Sequence, residues 1–95
     1  MSIIWTARAT RDLIDIHRYI SRDKPKTATR WINRIRHRAK NAAENPLLGR
    51  MVSELQQTEI REVLLGDYRI VYQILNSNIQ ILTVFNGHRL FPAIT

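Results

Sequence analysis

The chain has 95 residues, of which 44% are hydrophobic and 24% charged; this composition is typical of one globular domain and excludes a disordered chain. The sequence contains no cysteine, which excludes disulfide bonds and thiolate metal sites and fits a reducing compartment. The net charge of +7 lies on the first half, because residues 1–50 carry 12 Lys/Arg against 4 Asp/Glu, whereas residues 51–95 carry 3 against 4.

This uneven positive charge is typical of a surface that binds nucleic acid or an acidic protein, although a solvated helix face would carry the same residues. The first residues, MSIIWTARATRDL, have neither the apolar core nor the cleavage site of a signal peptide, so we expect none. No apolar run approaches the roughly 18 residues that span a bilayer. We therefore expect a cytoplasmic protein that does not associate with membranes.

The first half of the chain predicts one strand and two helices. Ser2 to Trp5 is a short apolar run that predicts an edge strand, and Thr6 or Thr10 can cap the helix after it. Apolar residues at positions 9, 13, 16 and 20 predict one face of this first helix. Pro25 suits the first turn of a second helix. The apolar stripe of the second helix consists of Ala28, Trp31, Ile32, Ile35, Ala39 and Ala42.

The second helix is basic on its other faces and ends near Glu44 or Asn45, because the residue before Pro46 is disfavoured in the helical conformation. We expect Gly49 to be the turn residue of the loop that follows. The short link between the helices predicts an antiparallel helical hairpin. Trp31 would either pack in the core or stack on a base. The basic side chains are Arg30, Arg34, Arg36, His37, Arg38 and Lys40.

After residue 51 the apolar period changes from 3.6 to 2, which predicts strands near 52–55, 60–65, 68–75 and 79–85. A two-residue turn at Gly66-Asp67 would pair Arg61 with Tyr72 and Leu64 with Arg69. The two arginines would then lie on opposite faces of the sheet, whereas a slip of one residue would place them on the same face. The sequence leaves this register open.

The predicted fold class is α+β, with an N-terminal edge strand and a two-helix antiparallel hairpin packed on a small, mainly antiparallel sheet. We expect a single domain over residues 1–95. Both faces of the sheet carry apolar side chains, and only one of them can pack on the helices. The other face is too apolar to face water, so we predict a groove that another chain covers. The groove residues are Val71, Leu75, Leu82 and Val84.

Arg61 and Arg69 are candidates for binding phosphate or carboxylate, because a guanidinium group offers paired donors. The alternative for both is a structural salt bridge, to Glu59, Glu62 or Asp67. A ribonuclease that uses the 2′-hydroxyl as its nucleophile needs a base, an acid and cations. The set that offers these groups is Arg61, Arg69, His88 and Arg89.

His88 has an alternative role as a surface residue in the loop after the last strand. With no clustered His, Asp and Glu and no cysteine, we expect no metal site. Three glycines do not form a phosphate-binding loop, so we expect no cofactor.

Five motifs stand in a characteristic order: DLIDIHRYI (12–20), NPLLGR (45–50), IRE (60–62), YRIVY (68–72) and NGHR (86–89). Their order and spacing resemble the RelE/ParE superfamily, the toxins of type II toxin–antitoxin modules, and the ParE branch in particular. The resemblance runs from Trp5 to about Arg89. It implies a helical hairpin packed on a curved sheet of four or five strands.

The resemblance also implies a function. RelE-like toxins cleave messenger RNA on the ribosome, ParE-like toxins inhibit DNA gyrase by binding, and an antitoxin silences both. The motifs at 60–62 and 68–72 match both groups, whereas those at 12–20 and 45–50 look more like ParE. The lack of a tyrosine after Tyr72 and the few cations after residue 50 depart from the nuclease pattern.

We therefore expect a ParE-type toxin that acts on gyrase by binding and has no catalytic residues. The alternatives are a ribosome-dependent nuclease of messenger RNA and a non-toxic nucleic-acid-binding module. The expected partners are an antitoxin and gyrase, or else the ribosome and messenger RNA, and the chain would form a homodimer or a toxin–antitoxin hetero-oligomer. The residues expected to contact the target are Arg34, Arg36, Arg38, Arg61 and Arg89.

Overall fold

In a computed structural model, which describes residues 1–94, two helices pack on one face of a five-stranded mixed sheet, as the predicted α+β class requires. No helix in this part of the chain is long and apolar enough to cross a membrane. The elements in chain order are β1 (Ser2–Trp5), α1 (Ala7–Ser21), α2 (Pro25–Glu44), a 3₁₀ helix (Pro46–Leu48), β2 (Arg50–Met51), β3 (Ile60–Leu65), β4 (Tyr68–Ile74) and β5 (Asn78–Asn86).

The strand order β1-β5-β4-β3-β2 places the first strand at one edge of the sheet and the short second strand at the other. β1 runs parallel to β5, and the other neighbours are antiparallel. Thr6 joins β1 directly to α1. Its hydroxyl accepts a hydrogen bond from the Ala9 amide at 3.1 Å and donates one to the Ile81 carbonyl at 2.8 Å. The N-cap of α1 therefore also ties this helix to β5.

The buried face of α2 is mostly alanine, and small side chains let a helix lie close to the sheet. Ala28, Ala39, Ala42 and Ala43 are buried there, together with the larger Ile35. Ala9 and Leu13 of α1 complete the helix layer. This layer packs on the helix-side core of the sheet, which consists of Val63, Ile70, Tyr72, Ile79, Ile81 and Val84.

The turn between β3 and β4 is the two-residue turn at Gly66-Asp67, with Gly66 at a φ of 56° in the left-handed region. Arg61 pairs with Tyr72 and Leu64 with Arg69, so the two arginines lie on opposite faces of the sheet. The sequence left the register of β3 and β4 open, and the observed register is that of the two-residue turn, without the one-residue shift.

A β-bulge interrupts the pairing of β4 with β5 between Val71 and Tyr72. Val84 consequently pairs with Ile70 and lies in the helix-side core, as Ile81 does. Residues three apart face opposite sides of a regular strand, and the extra residue of the bulge brings both to one side. The prediction that Val84 shares a groove with Val71 is wrong for this reason.

The face of the sheet away from the helices is covered by the chain itself. Val52, Ile60 and Val71 are buried in this far-side core, and Val71 is fully inaccessible. The covering side chains come from the loop after β2 and from the C-terminal segment that follows β5. The partly buried residues packed on this core are Leu55, Leu82, Phe85, Phe91 and Ile94. Val71 is thus unavailable to another chain, contrary to the predicted groove.

The strand predicted near residues 52–55 is also wrong, because β2 ends at Met51 and the chain turns. The Val52 carbonyl accepts hydrogen bonds from the amides of Leu55 at 3.1 Å and Gln56 at 2.9 Å. Gln56 has a φ of 53°, and this left-handed conformation ends any extended run. The apolar side chain of Val52 is buried in the far-side core and thereby holds this turn against the sheet.

A glycine is needed at position 49 because there is no room for a side chain. Its φ of −66° is one that any residue can adopt. The buried Tyr72 hydroxyl donates a hydrogen bond to the Pro46 carbonyl and lies directly against Gly49. A Cβ atom at position 49 would overlap this hydroxyl and lie 3.0 Å from the Glu62 carbonyl oxygen. The sequence had indicated only a turn residue here.

Replacing Gly49 with alanine is expected to lower the free energy of unfolding by about 1–3 kcal/mol, the usual cost of overpacking. Urea denaturation followed by circular dichroism measures the change. In a Tyr72→Phe background the cost of Gly49→Ala is expected to be smaller, because the hydroxyl that the new methyl group meets is absent. An equal cost in both backgrounds would contradict this account of the glycine.

Candidate functional site

The arginines of α2 lie on two different flanks of the helix. Arg34 and Arg38 are one turn apart and border a small hollow of about 280 Å³ beside Leu65. The Arg34 guanidinium lies 4.8 Å from the centre of the Trp31 ring, and Arg38 Nε donates to the Leu64 carbonyl at 3.1 Å.

Arg36 points the other way, toward α1 and β1. Its guanidinium lies 5.5 Å from the Trp5 ring, and it lines a groove between the two helices. The structure therefore brings Arg34 and Arg38 together and separates Arg36 from them. Trp31 is half-buried and packs edge-on against Tyr68, with ring centres 5.6 Å apart. It supports the Arg34–Arg38 flank and is neither a core residue nor a free stacking platform.

Arg69 is held by two carboxylates on the far side of the sheet. Its Nε donates to Glu62 Oε1 at 2.6 Å, and its two terminal nitrogens donate to the two oxygens of Glu54 at 2.8 Å each. Arg50 binds the other oxygen of the buried Glu62 at 2.9 Å. The Arg69 guanidinium also lies between Phe85 and Phe91, 5.1 and 5.3 Å from their ring centres.

These contacts make Arg69 a structural residue, with only 13% of its side chain exposed. The hydrogen bonds from Arg69 lower the pKa of Glu54 to about 2, and the bonds to Glu54 and then Glu62 raise the pKa of Arg69. The predicted alternative of a salt bridge to Glu62 is correct for Arg69. Asp67 instead lies 3.5 Å from His88, between Oδ1 and Nε2.

Arg61 lies on the helix side of the sheet and binds backbone carbonyls. Its Nε donates to Thr58 at 3.1 Å, and its Nη1 donates to Gly49 at 3.0 Å. No carboxylate of residues 1–94 lies within 4.0 Å of it. Two of its donors are thus used to connect β3 with the loops on either side of β2.

His88 and Arg89 follow β5 and are both exposed. The His88 side chain is 79% exposed, and its backbone amide is bound by Asn86 Oδ1 at 2.9 Å. Arg89 borders a cleft between α1 and the C-terminal segment. The four residues of the nuclease set are therefore not assembled into one site, since Arg61 and Arg69 lie on opposite faces and Arg69 is already paired.

This cleft has a volume of about 530 Å³ and lies between α1, the ends of β4 and β5, and the C-terminal segment. Asp12 of α1 lines this cleft and is held by two hydrogen bonds. Its Oδ2 accepts from Thr83 Oγ1 at 2.6 Å and from the Val84 amide at 3.0 Å, beside the bulge. Asp12 was not among the candidate residues predicted from the sequence, and its position at the start of the 12–20 motif was the available signal.

Comparison with known proteins identifies the family. A family model described as "ParE toxin of type II toxin-antitoxin system, parDE" matches residues 3–91. The chain belongs to the ParE toxin family. It is 38% identical over 94 residues to a Sinorhizobium fredii protein named "Putative toxin Y4kP", and the match covers 97% of this chain and 94% of that one.

A solved structure described as "Chromosomal ParDE TA system from P. aeruginosa" has the same fold. The TM-score is 0.77 at 23% identity, and the match covers 90% of this chain and 95% of that chain. The mixed sheet with its helical hairpin is thus the ParE fold, and the chain is a toxin-family member of a type II system.

The motifs that carry the family resemblance consist largely of residues that hold the ParE fold together. Gly49 and Tyr72 are packed against each other, Glu62 and Arg69 form a buried ion pair, and Asp12 ties α1 to β5. The exposed arginines of α2 lie outside these motifs. These internal contacts account for the fold, and the surface that meets a partner has to be located separately.

The Arg69–Glu54 pair predicts a pH dependence of stability. Because the folded pKa of Glu54 lies near 2 and its ordinary value is 4.5, the pair stabilises the fold above pH 4.5 and loses this effect as the pH falls toward 2. Glu54→Gln is expected to cost about 1 kcal/mol at pH 7, a value reduced because the carboxylate is partly exposed. Thermal melts from pH 7 to pH 2 should show the difference from wild type shrinking below pH 4.5.

Glu59→Gln is the matched control, since Glu59 lies in the same loop and has no arginine within 4.0 Å in residues 1–94. It is expected to melt like wild type at each pH. A Glu54→Gln difference that stays constant down to pH 2 would contradict the ionic origin of the stabilisation.

Proposed function

We propose that the protein is a toxin that inhibits bacterial DNA gyrase by binding, acts in the cytoplasm, and is neutralised by a cognate antitoxin. The observation that carries the proposal is the ParE family match over residues 3–91. ParE-like toxins are expected to act on gyrase and not on messenger RNA. The name of the Sinorhizobium fredii relative supports toxicity, and the described ParDE system supports an antitoxin partner.

The arrangement of the polar residues favours binding over RNA cleavage. General acid–base catalysis requires groups within hydrogen-bond reach of the same reacting atoms. Arg61 and Arg69 face opposite sides of the sheet, and the donors of Arg69 are occupied by Glu54 and Glu62. His88 lies at a loop against Asp67. The nuclease alternative would need these groups to converge on one phosphate.

We assign the gyrase contact to the Arg34–Arg38 flank of α2. Arginine and tryptophan are enriched among the residues that dominate binding energy at protein interfaces, and here Arg34 lies on the half-buried Trp31. Exposed Arg89 borders a different cleft, beside α1, and is not assigned to this surface. Arg36 faces the opposite flank, and two donors of Arg61 are bound internally, so neither belongs to this surface.

Reversing the charge of this flank with Arg34→Glu/Arg38→Glu is expected to weaken gyrase inhibition by at least about tenfold, the effect of losing interface hot-spot residues. Arg36→Glu/Lys40→Glu is the matched control, because it makes the same charge change on the opposite flank. Plasmid supercoiling titrations measure both, and thermal melts establish that both variants fold. Equal loss in the two variants would contradict the assignment of the contact to one flank.

A side-by-side assay tests the target. One arm contains DNA gyrase and plasmid, and the other contains programmed ribosomes and messenger RNA. We expect blocked supercoiling or linearised plasmid with intact messenger RNA, and His88→Ala is expected to behave like wild type because this exposed side chain serves no catalytic role. Cleaved messenger RNA with normal gyrase would overturn the proposal in favour of the nuclease. Folded protein without effect in either arm would contradict toxicity and favour the nucleic-acid-binding module.

A further inference from the structure

The cleft between α1 and the C-terminal segment carries an excess of positive charge that neither the fold nor the assigned gyrase surface uses. Arg8, Arg18 and Arg22 line it from α1, and Arg89 lines it from the C-terminal segment. Its two acidic residues are Asp12 and Asp15, so the cations outnumber the carboxylates. The Asp12 carboxylate is moreover engaged by Thr83 and the Val84 amide, as described above.

The arginines of the cleft are not neutralised by side chains of the described residues. Within residues 1–94, no Asp or Glu carboxylate lies within 4.0 Å of Arg18, Arg22 or Arg89. Arg8 donates to the Ala93 carbonyl at 2.8 Å, while its Nε is buried and has no acceptor in the same part of the chain. The cleft therefore offers several charged donors to an anionic group.

The same cleft is lined by apolar and aromatic side chains. Leu90 is 94% exposed at its edge, and Tyr19 is also largely exposed. A fully exposed leucine beside unpaired arginines suits a ligand that combines carboxylates with an apolar side chain. The other residues that contribute this lining are Ile16, Tyr68, Val84, Phe85 and Pro92.

We infer that this cleft binds an acidic peptide segment of a protein partner, with its carboxylates on Arg18, Arg22 and Arg89 and an apolar side chain against Leu90. The natural source is the antitoxin, so the inference rests on that part of the proposed function. It places the partner on the α1 side of the molecule. The far face of the sheet, where the sequence predicted a groove, is covered by the C-terminal segment.

The composition of the cleft favours a peptide over the other ligands. A nucleic acid presents a regular row of phosphates and has no apolar side chain to place against Leu90. A cleft of about 530 Å³ accommodates several side chains rather than a duplex. A second copy of this chain would bring a net charge of +7 toward an already cationic cleft.

A peptide-binding experiment tests the inference without gyrase or the antitoxin. The probe is a fluorescein-labelled, helical 14-residue peptide of Glu, Ala and Leu, and its counterpart has every Glu replaced by Gln. Binding is measured by fluorescence anisotropy at about 0.15 M salt. At this salt concentration the Debye length is about 8 Å, so long-range electrostatic attraction between peptide and protein is screened. Arg18→Glu/Arg22→Glu is expected to weaken binding of the acidic peptide at least tenfold, and Leu90→Ser at least threefold.

The matched control is Arg30→Glu/Lys40→Glu, two exposed α2 residues that do not line the cleft. It makes the same charge change and is expected to bind the acidic peptide within threefold of wild type. Equal weakening in both double variants would show that net charge alone attracts the peptide and would overturn the inference. Equal binding of the Gln peptide would overturn the role of the carboxylates.

Two further outcomes separate this inference from the proposed function. In the first, a single-stranded oligonucleotide binds the wild-type protein more tightly than the peptide does and displaces it. If the oligonucleotide also loses its affinity for Arg18→Glu/Arg22→Glu, the cleft is a nucleic-acid site and the inference is overturned. Wild-type protein that inhibits gyrase but does not bind the acidic peptide would overturn the cleft assignment and leave the gyrase proposal intact.

Discussion

Arg69 is a charged side chain in a mainly apolar sheet, and a buried charge is stable only with partners. Glu54 and Glu62 provide them, and Phe85 and Phe91 cover the guanidinium. Four segments that are distant in sequence meet at this side chain: the loop before β3, β3 itself, β5 and the C-terminal segment. The loop and the C-terminal segment in turn cover the far-side core. Loss of one partner would leave part of the charge unpaired and weaken the contacts that hold this cover in place.

The covered far face decides where partners can bind. An apolar sheet face of this size needs a cover, and here the cover is intramolecular. The two surfaces proposed for partners are the Arg34–Arg38 flank of α2 and the arginine-lined cleft beside α1. The two surfaces share no lining residue, so they can serve different partners. Most of their charge comes from the basic first half of the chain, and Arg89 adds to that of the cleft.

The residues that hold the fold together are internal, whereas the residues proposed to recognise a partner are exposed arginines. The motifs of this chain supply a tight glycine contact, a buried ion pair and a helix-to-strand tie, all of them internal. Such contacts specify the fold, whereas function depends on surface sites that the fold presents. The exposed arginines of α2 and of the cleft are therefore where gyrase recognition and antitoxin recognition are to be tested.

The sequence by itself determined the two helices, the turn at Gly66-Asp67 and, given that turn, the opposite faces of Arg61 and Arg69, because periodicity and turn length are local. Only the tertiary structure decided the rest. The bulge places Val84 in the helix-side core, and the C-terminal segment helps to bury Val71. Glu54, from the loop before β3, forms an ion pair with Arg69. Each of these depends on packing between segments far apart in the chain, which no local pattern records.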